Sequence, residues 1–348
     1  MKPAAGLFAA LSLLAQQPNI SNARLETRQI TGGLDATFRA ILSTQSSPAW
    51  LGYAEPIIPG DRQSCCWNGE GGCSLEHHSG DSGVTVAAPR TVKLEGPTHL
   101  VVLYRVENHQ ITKIRSFTPE CDLDAGGLPF IWLNGVAAPE SVRMLLSTAK
   151  SDPDQTRGGP RIADSAVSAI ALHSDPAADQ ALEELIAPSQ PEKLRSKALF
   201  WLGNSRGARG FQLVSRVVRE DPSDKIREHA VFALSQSKQP EALATLVDVA
   251  HKDASPRVRG QALFWLAQRA GQKMAEAAIG DAIANDPETE VKKKAVFALT
   301  QMPSGDGVPL LIQIARTNRN PEVRKQAVFW LGQSKDARAL AFISDVLK

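Results

Sequence analysis

The chain has 348 residues, enough for two domains of ordinary size. Hydrophobic residues make up 43% and charged residues 22%, an ordinary balance for a folded soluble protein. A net charge of +2 is too small to imply a nucleic-acid or membrane-surface partner by itself, and no later segment has the ~20 apolar residues a membrane helix requires.

The first residues have the pattern of a signal peptide. Lys2 supplies a positive start, Ala4 to Ala15 form a stretch rich in Leu and Ala, and Pro18 breaks any helix. Ser21-Asn22-Ala23 places small residues at the two positions a signal peptidase reads. Cleavage after Ala23 is expected, with Ala15 as a second site and a buried amino-terminal helix as the rival reading. The expectation is a secreted or periplasmic protein with no integral membrane segment after cleavage.

Residues 24 to 150 read as a small α/β domain. Leu34, Phe38 and Ile41/Leu42 fall on one face of a helix. A Gly-, Ser- and Cys-rich loop from Pro59 to Gly83 is irregular enough to need staples. It holds Cys65, Cys66 and Cys73, and Cys121 follows. Four cysteines confined to one region of an exported chain predict two disulfides. A Cys65–Cys66 bond would strain the peptide, which leaves one of that pair for Cys73 and the other for Cys121. Zinc held by these thiols with His77 and His78 is the competing reading. The spacing fits no Cys-x-x-Cys pattern, so neither metal nor cofactor is expected. His99 to Val106 and Gln110 to Phe117 alternate in polarity around Glu107-Asn108-His109, a hairpin signature. Pro139 to Leu146 forms a short helix with Pro in the first turn. Asp122 and Asp124 are read as turn residues rather than as a carboxylate pair, and 151–161, rich in Asp, Pro and Gly, as the linker.

The remainder, 162–348, repeats itself. Phe200, Phe232, Phe264, Phe297 and Phe329 are separated by 32, 32, 33 and 32 residues. Each is the seventh residue of a decapeptide beginning at Leu194, Ile226, Val258, Val291 or Val323. Another 32 residues back, Ile162, Ala166 and Ile170 keep the apolar slots without the Phe, as a degenerate first repeat would. At about 100° per residue, slots one, five, eight and nine share a helical face and are expected to be buried. A second helix follows in each unit, as in Glu241 to Ala250 and Ala337 to Leu347. Asp221-Pro222, Asp286-Pro287 and Asn320-Pro321 punctuate the units.

These decapeptides resemble the Val-Arg-x-x-Ala-x-x-Ala-Leu-Gly signature of the short HEAT-like repeats named after phycobilisome lyases. The resemblance covers 162–348 and implies a mostly α-helical fold, an α-α solenoid of about six helix pairs. It further implies a ladder of hydrogen bonds between units, carried here by Asp221/Arg227, Asp253/Arg259, Asp286/Lys292 and Asn318/Arg324. Ser189/Arg195 departs from that pattern, which predicts a looser first junction. By analogy with HEAT folds, the signature helix lines the concave surface. Slot seven is variable in the general signature, yet here it is Phe five times. Slot eleven, one turn on, is Asn204, Gln236, Gln268, Gln301 and Gln333, and slot four carries Lys197, His229, Gln261, Lys294 and Gln326.

Repeated rings and amides on such a face suit a protein or peptide partner. The alternative is a ladder that only stabilises the array, each aromatic contact adding on the order of 1 kcal/mol. Some HEAT-like proteins are enzymes with His-Glu pairs, but this chain has no His-Glu dipeptide and no nucleophile elbow, phosphate loop or His-Glu-x-x-His. Residues 161–348 hold 26 Lys and Arg against 22 Asp and Glu, too mild a bias for a nucleic-acid groove. The expectation is therefore an exported binding scaffold, not an enzyme. An envelope enzyme or inhibitor seated in the Cys-rich domain is the alternative. Leu340, Ile343, Val346 and Leu347 have no following repeat to cover them, so self-association at that end is also expected.

Overall fold

The computed structural model describes residues 17–60, 65, 73–76, 96–151 and 162–347. The chain divides into two compact units, 1–185 and 186–348. Within the first, a five-stranded sheet has the order β2-β8-β3-β5-β6. Its strands are β2 (Arg24–Gln29), β3 (Ala49–Pro56), β5 (His99–Glu107), β6 (Gln110–Phe117) and β8 (Pro129–Asn134). The β2/β8 and β8/β3 pairs are parallel, and the β3/β5 and β5/β6 pairs antiparallel. The hairpin between β5 and β6 turns through Asn108 and His109, both at positive φ, the primed geometry that follows strand twist.

Both faces of β3 are buried, because two different layers cover the sheet. On one side lie α1 (Leu34–Thr44), α2 (Ala138–Ser151) and α3 (Ile162–Leu172). Phe38 of α1 meets Tyr104 edge-on, with centroids 4.9 Å apart. On the other side Trp50, Val101, Leu103, Phe117, Phe130 and Trp132 pack under Cys73, Leu75, Cys121, Leu123 and Ala125. This cap contains a second, small sheet of β1 (Asn19–Ser21), β7 (Asp122–Asp124) and β4 (Cys73–Ser74). Its staple is the Cys65–Cys121 disulfide, and Cys73 is also disulfide-bonded. Cys66, His77 and His78 lie outside the described residues. Four polar contacts pin 74–76 to the sheet: Arg115 to the Ser74 carbonyl, Lys113 to the Leu75 carbonyl, and Trp50 and Arg105 to the Glu76 carboxylate.

Two expectations change here, and a third observation bears on the cleavage site. Asp122 and Asp124 lie in a strand rather than a turn, although Asp124 accepts the Gly126 N–H at 2.8 Å. The α2 helix continues to Ser151, past the predicted Leu146, and 152–161 lie outside the described residues. Asn19–Ser21 pairs with Asp122–Asp124, and the Ser21 and Asn22 carbonyls accept the Ala125 and Gly127 N–H groups. Cleavage after Ala23 would delete that strand, whereas cleavage after Ala15 would keep it.

The repeats fold as helix pairs. The first pair, α3 with α4 (Ala177–Leu185), belongs to the first unit. Five follow in the second: α5 (Glu192–Ser205) with α6 (Gly207–Glu220), α7 (Asp224–Gln236) with α8 (Glu241–Lys252), α9 (Pro256–Arg269) with α10 (Gln272–Asn285), α11 (Thr289–Leu299) with α12 (Val308–Thr317), and α13 (Pro321–Gln333) with α14 (Ala337–Val346). The signature helices α5, α7, α9, α11 and α13 pack directly on one another, far more closely than the second helices do. Small residues permit that approach. Ala198, Ala230, Ala262, Ala295 and Ala327 are fully buried, and a Cβ at Gly203 would collide with the Ala233 carbonyl of the next signature helix.

Candidate binding face

The ladder between units follows a rule finer than the expected pairing. In three units the Arg at slot two donates to the backbone carbonyl of the Asp or Asn six residues before it, as Arg227 to Asp221, Arg259 to Asp253 and Arg324 to Asn318, at 2.7–2.9 Å. In Arg195, Arg227 and Arg259 other nitrogens reach forward to the next unit's carboxylate. Arg195 pairs with Asp221, Arg227 with Asp253 and Arg259 with Asp286. Each Asp also accepts the N–H two residues on, which forms the turn into the following helix. One residue thus builds the turn and the inter-unit contact together. Arg195, where Ser189 departs from the pattern, bonds the Ile186 carbonyl instead and still pairs forward with Asp221. The break lies further on. Lys292 bonds the Ala284 carbonyl, and among the described residues nothing joins it to Asn318.

At Asp286, burial favours the neutral acid, but Arg259, the Glu288 N–H and Lys292 outweigh it and hold the carboxyl below its ordinary range.

The signature-helix stripe is neither core nor open surface. Phe200, Phe232, Phe264 and Phe297 are half-buried, and Phe329 is 54% exposed. Slot eight departs from expectation. Its Ala233 and Ala298 are buried, but Trp201, Trp265 and Trp330 are half-buried and join the stripe. An indole is too large for the seam between signature helices, so it turns out onto the face. The result is one continuous ridge. Phe200 stacks on Phe232 at 5.9 Å, Phe232 meets Trp265 at 5.0 Å, and Trp265 meets Phe264 at 5.1 Å. Phe264 stacks on Phe297 at 6.1 Å, Phe297 meets Trp330 at 4.9 Å, and Trp330 meets Phe329 at 5.0 Å. The ridge therefore repeats every two units. The cue was in the sequence, since Trp201, Trp265 and Trp330 recur at 64 and 65 residues.

Beside the ridge, Gln236 and Gln301 donate to the hydroxyls of Ser235 and Thr300 at 2.9 Å, while Gln268 and Gln333 are exposed. Of the slot-four residues, Lys294 is exposed and Lys197, His229, Gln261 and Gln326 are half-buried, burial lowering the His229 pKa. Trp265 Nε1 and Trp330 Nε1 are buried and have no hydrogen-bond partner among the described residues. Such an unmade bond costs about 1–3 kcal/mol, and it recurs at equivalent positions two units apart.

Sequence reasoning missed a buried relay in the first unit. His173 donates from Nδ1 to the Ala169 carbonyl at 2.7 Å, which leaves Nε2 to accept from Ser141 at 2.8 Å. Ser141 is 2.8 Å from the Tyr53 hydroxyl, which is 3.0 Å from that of Tyr104. All four side chains are fully buried, so the Ser–His contact ties sheet to helices and presents no nucleophile to solvent. Glu55, at the same end of β3, is buried with Oε1 unpartnered among the described residues. Burial, with help from Asp175, raises its pKa to about 8.

Residues 180–267 and 276–348 match the family model described as HEAT repeats. The carboxy-terminal half of this chain is a HEAT-repeat solenoid. No curated protein matches the sequence. Among solved structures, the complex of CpcE and CpcF of phycocyanin lyase from Nostoc sp. PCC7120 is 17% identical. That match covers 45% of this chain and 97% of the other, with a TM-score of 0.34. Human deoxyhypusine hydroxylase in complex with glycerol is 17% identical over 60% and 90% of the two chains, with a TM-score of 0.25. Kap121p is 16% identical over 55% of this chain and 25% of its own, with a TM-score of 0.35.

Proposed function

We propose that the protein is an exported scaffold that holds a protein or peptide partner on its signature-helix face, and that it is not an enzyme. The observation that carries this reading is the half-exposed aromatic ridge running unbroken through five units. A purely structural ladder would bury its rings, whereas these rings leave apolar surface in water on every unit. Export is supported by the amino-terminal pattern and by the Cys65–Cys121 disulfide. The reading includes self-association at α14, where Leu340, Val346 and Leu347 are exposed.

The test is capture from envelope extract with the mature protein and with a variant carrying Phe232, Phe264, Phe297, Gln268 and Gln301 changed to Ala. A milder Gln268→Ala/Phe329→Ala variant changes only exposed positions and so preserves the fold. A partner lost from both folded variants supports the reading, and a partner retained by both overturns it. Sedimentation of Leu340→Glu/Leu347→Glu against the parent tests the α14 contact, which predicts weaker association in the variant.

A further inference from the structure

The ridge offers hydrogen-bond donors and little net charge. The charged residues flanking it are largely matched in place: Lys225 with Glu192, Arg257 with Glu228, Lys293 with Glu290 and Lys325 with Glu322, the exposed Lys294 at slot four being an exception. Burial keeps His229 toward its neutral form. A strongly charged ligand would find little to select it. The donors are the exposed carboxamides of Gln268 and Gln333 and the two indole N–H groups of Trp265 and Trp330, the indoles having no acceptor among the described residues.

Resting on the scaffold reading, we propose that this face binds an uncharged, proline-rich segment in the polyproline II conformation. The chemistry of the face selects it. Proline carries a flat apolar ring and no backbone N–H, so such a segment brings carbonyl acceptors and few donors of its own. In polyproline II those carbonyls make no internal bonds, and little entropy is lost on docking into aromatic-lined grooves. A β-strand ligand would instead bring as many N–H groups as carbonyls, and the indole N–H groups could serve only its carbonyls. The spacing of the ridge limits the register. Steps of 5.9, 5.0 and 5.1 Å bound the separation of Phe200 and Phe264, two units apart, at about 16 Å. At ~3.1 Å per residue, at most about five ligand residues lie between equivalent anchors, room for one three-residue turn of the ligand. The indole nitrogens are covered in the unliganded face, so a carbonyl reaches them only if the rings turn. Binding must therefore change tryptophan fluorescence.

The experiment titrates the full chain with an uncharged Pro-rich peptide of about 15 residues, roughly three anchor intervals, and with its Pro→Ala counterpart. Calorimetry and tryptophan emission are recorded together. The Pro-rich peptide is expected to bind about tenfold more tightly than its counterpart and to shift the emission. Trp265→Phe/Trp330→Phe keeps the rings and removes the donors, and it should weaken binding about tenfold. Gln268→Ala/Gln333→Ala, at exposed positions, should do the same with the melting curve unchanged. Equal affinity for the two peptides overturns the inference, as does binding that leaves emission and both variants unaffected. If neither peptide binds while the capture experiment still loses its partner from the Phe and Gln variants, the scaffold reading stands and the proline-rich assignment falls.

Discussion

Glu55 shows how one buried side chain makes stability depend on pH. Its carboxyl is buried with one oxygen unpartnered among the described residues, and burial favours the neutral form, with a pKa of about 8. The unfolded value is the ordinary ~4.3. A raised carboxyl binds its proton more tightly when folded, so its contribution is complete at low pH. That contribution is lost as pH rises from the unfolded value through the folded one. Glu55→Gln removes the titration. The variant should match the parent near pH 4 and exceed it near pH 9 by on the order of 1–3 kcal/mol in urea unfolding. A parent that gains stability across that range would contradict the assignment. At Asp286 the sign is opposite, because the carboxylate is the favoured form and Arg259 depends on it. Asp286→Ala leaves a buried guanidinium without its counter-charge and should cost about 3–5 kcal/mol, measured by denaturant unfolding at neutral pH.

At the scale of the element, the signature helix reads out the difference between a position inside the stack and the same position at its end. Gly203 and Gly332 both occupy slot ten. A side chain at Gly203 would strike the Ala233 carbonyl, whereas one at Gly332 has nothing within 4 Å. Gly203→Ala should therefore destabilise the array by about 1–3 kcal/mol, since backbone must move. Gly332→Ala should stabilise it by about 0.5–1 kcal/mol, the ordinary helix gain over glycine. Thermal melting of the two variants checks both, and a shared sign would contradict the packing described for α5 and α7. Periodicity alone placed the five Phe on one face, but it assigned Trp201, Trp265 and Trp330 to the buried seam. Helical angle decides which direction a side chain leaves the helix. Whether an indole fits there depends on how near the next helix lies, and that distance is a tertiary quantity. The ladder was legible for the same reason in reverse. An Asp at a fixed offset from an Arg needs only local geometry, although the forward reach to the next unit does not show in a single decapeptide.

At the scale of the whole molecule, the amino terminus supplies the remaining test. Asn19–Ser21 forms a strand beside Asp122–Asp124, so under the proposed export the mature chain is expected to begin at Gln16 rather than Arg24. Amino-terminal sequencing of the purified mature chain decides it, and a chain starting at Arg24 would mean that β1 is dispensable. By itself, the sequence determined the repeat, its length, its helical faces and the cysteine-stapled character of the first unit. Those features rest on short-range periodicity and composition, which every residue carries with it. Only the tertiary structure decided that Cys65 pairs with Cys121, that β3 is covered on both faces, and that Ser141, His173, Tyr53 and Tyr104 form one buried relay. It also decided that eight rings merge into a single ridge with a two-unit period. These depend on which distant segments are brought together, and spacing along the chain holds no record of that.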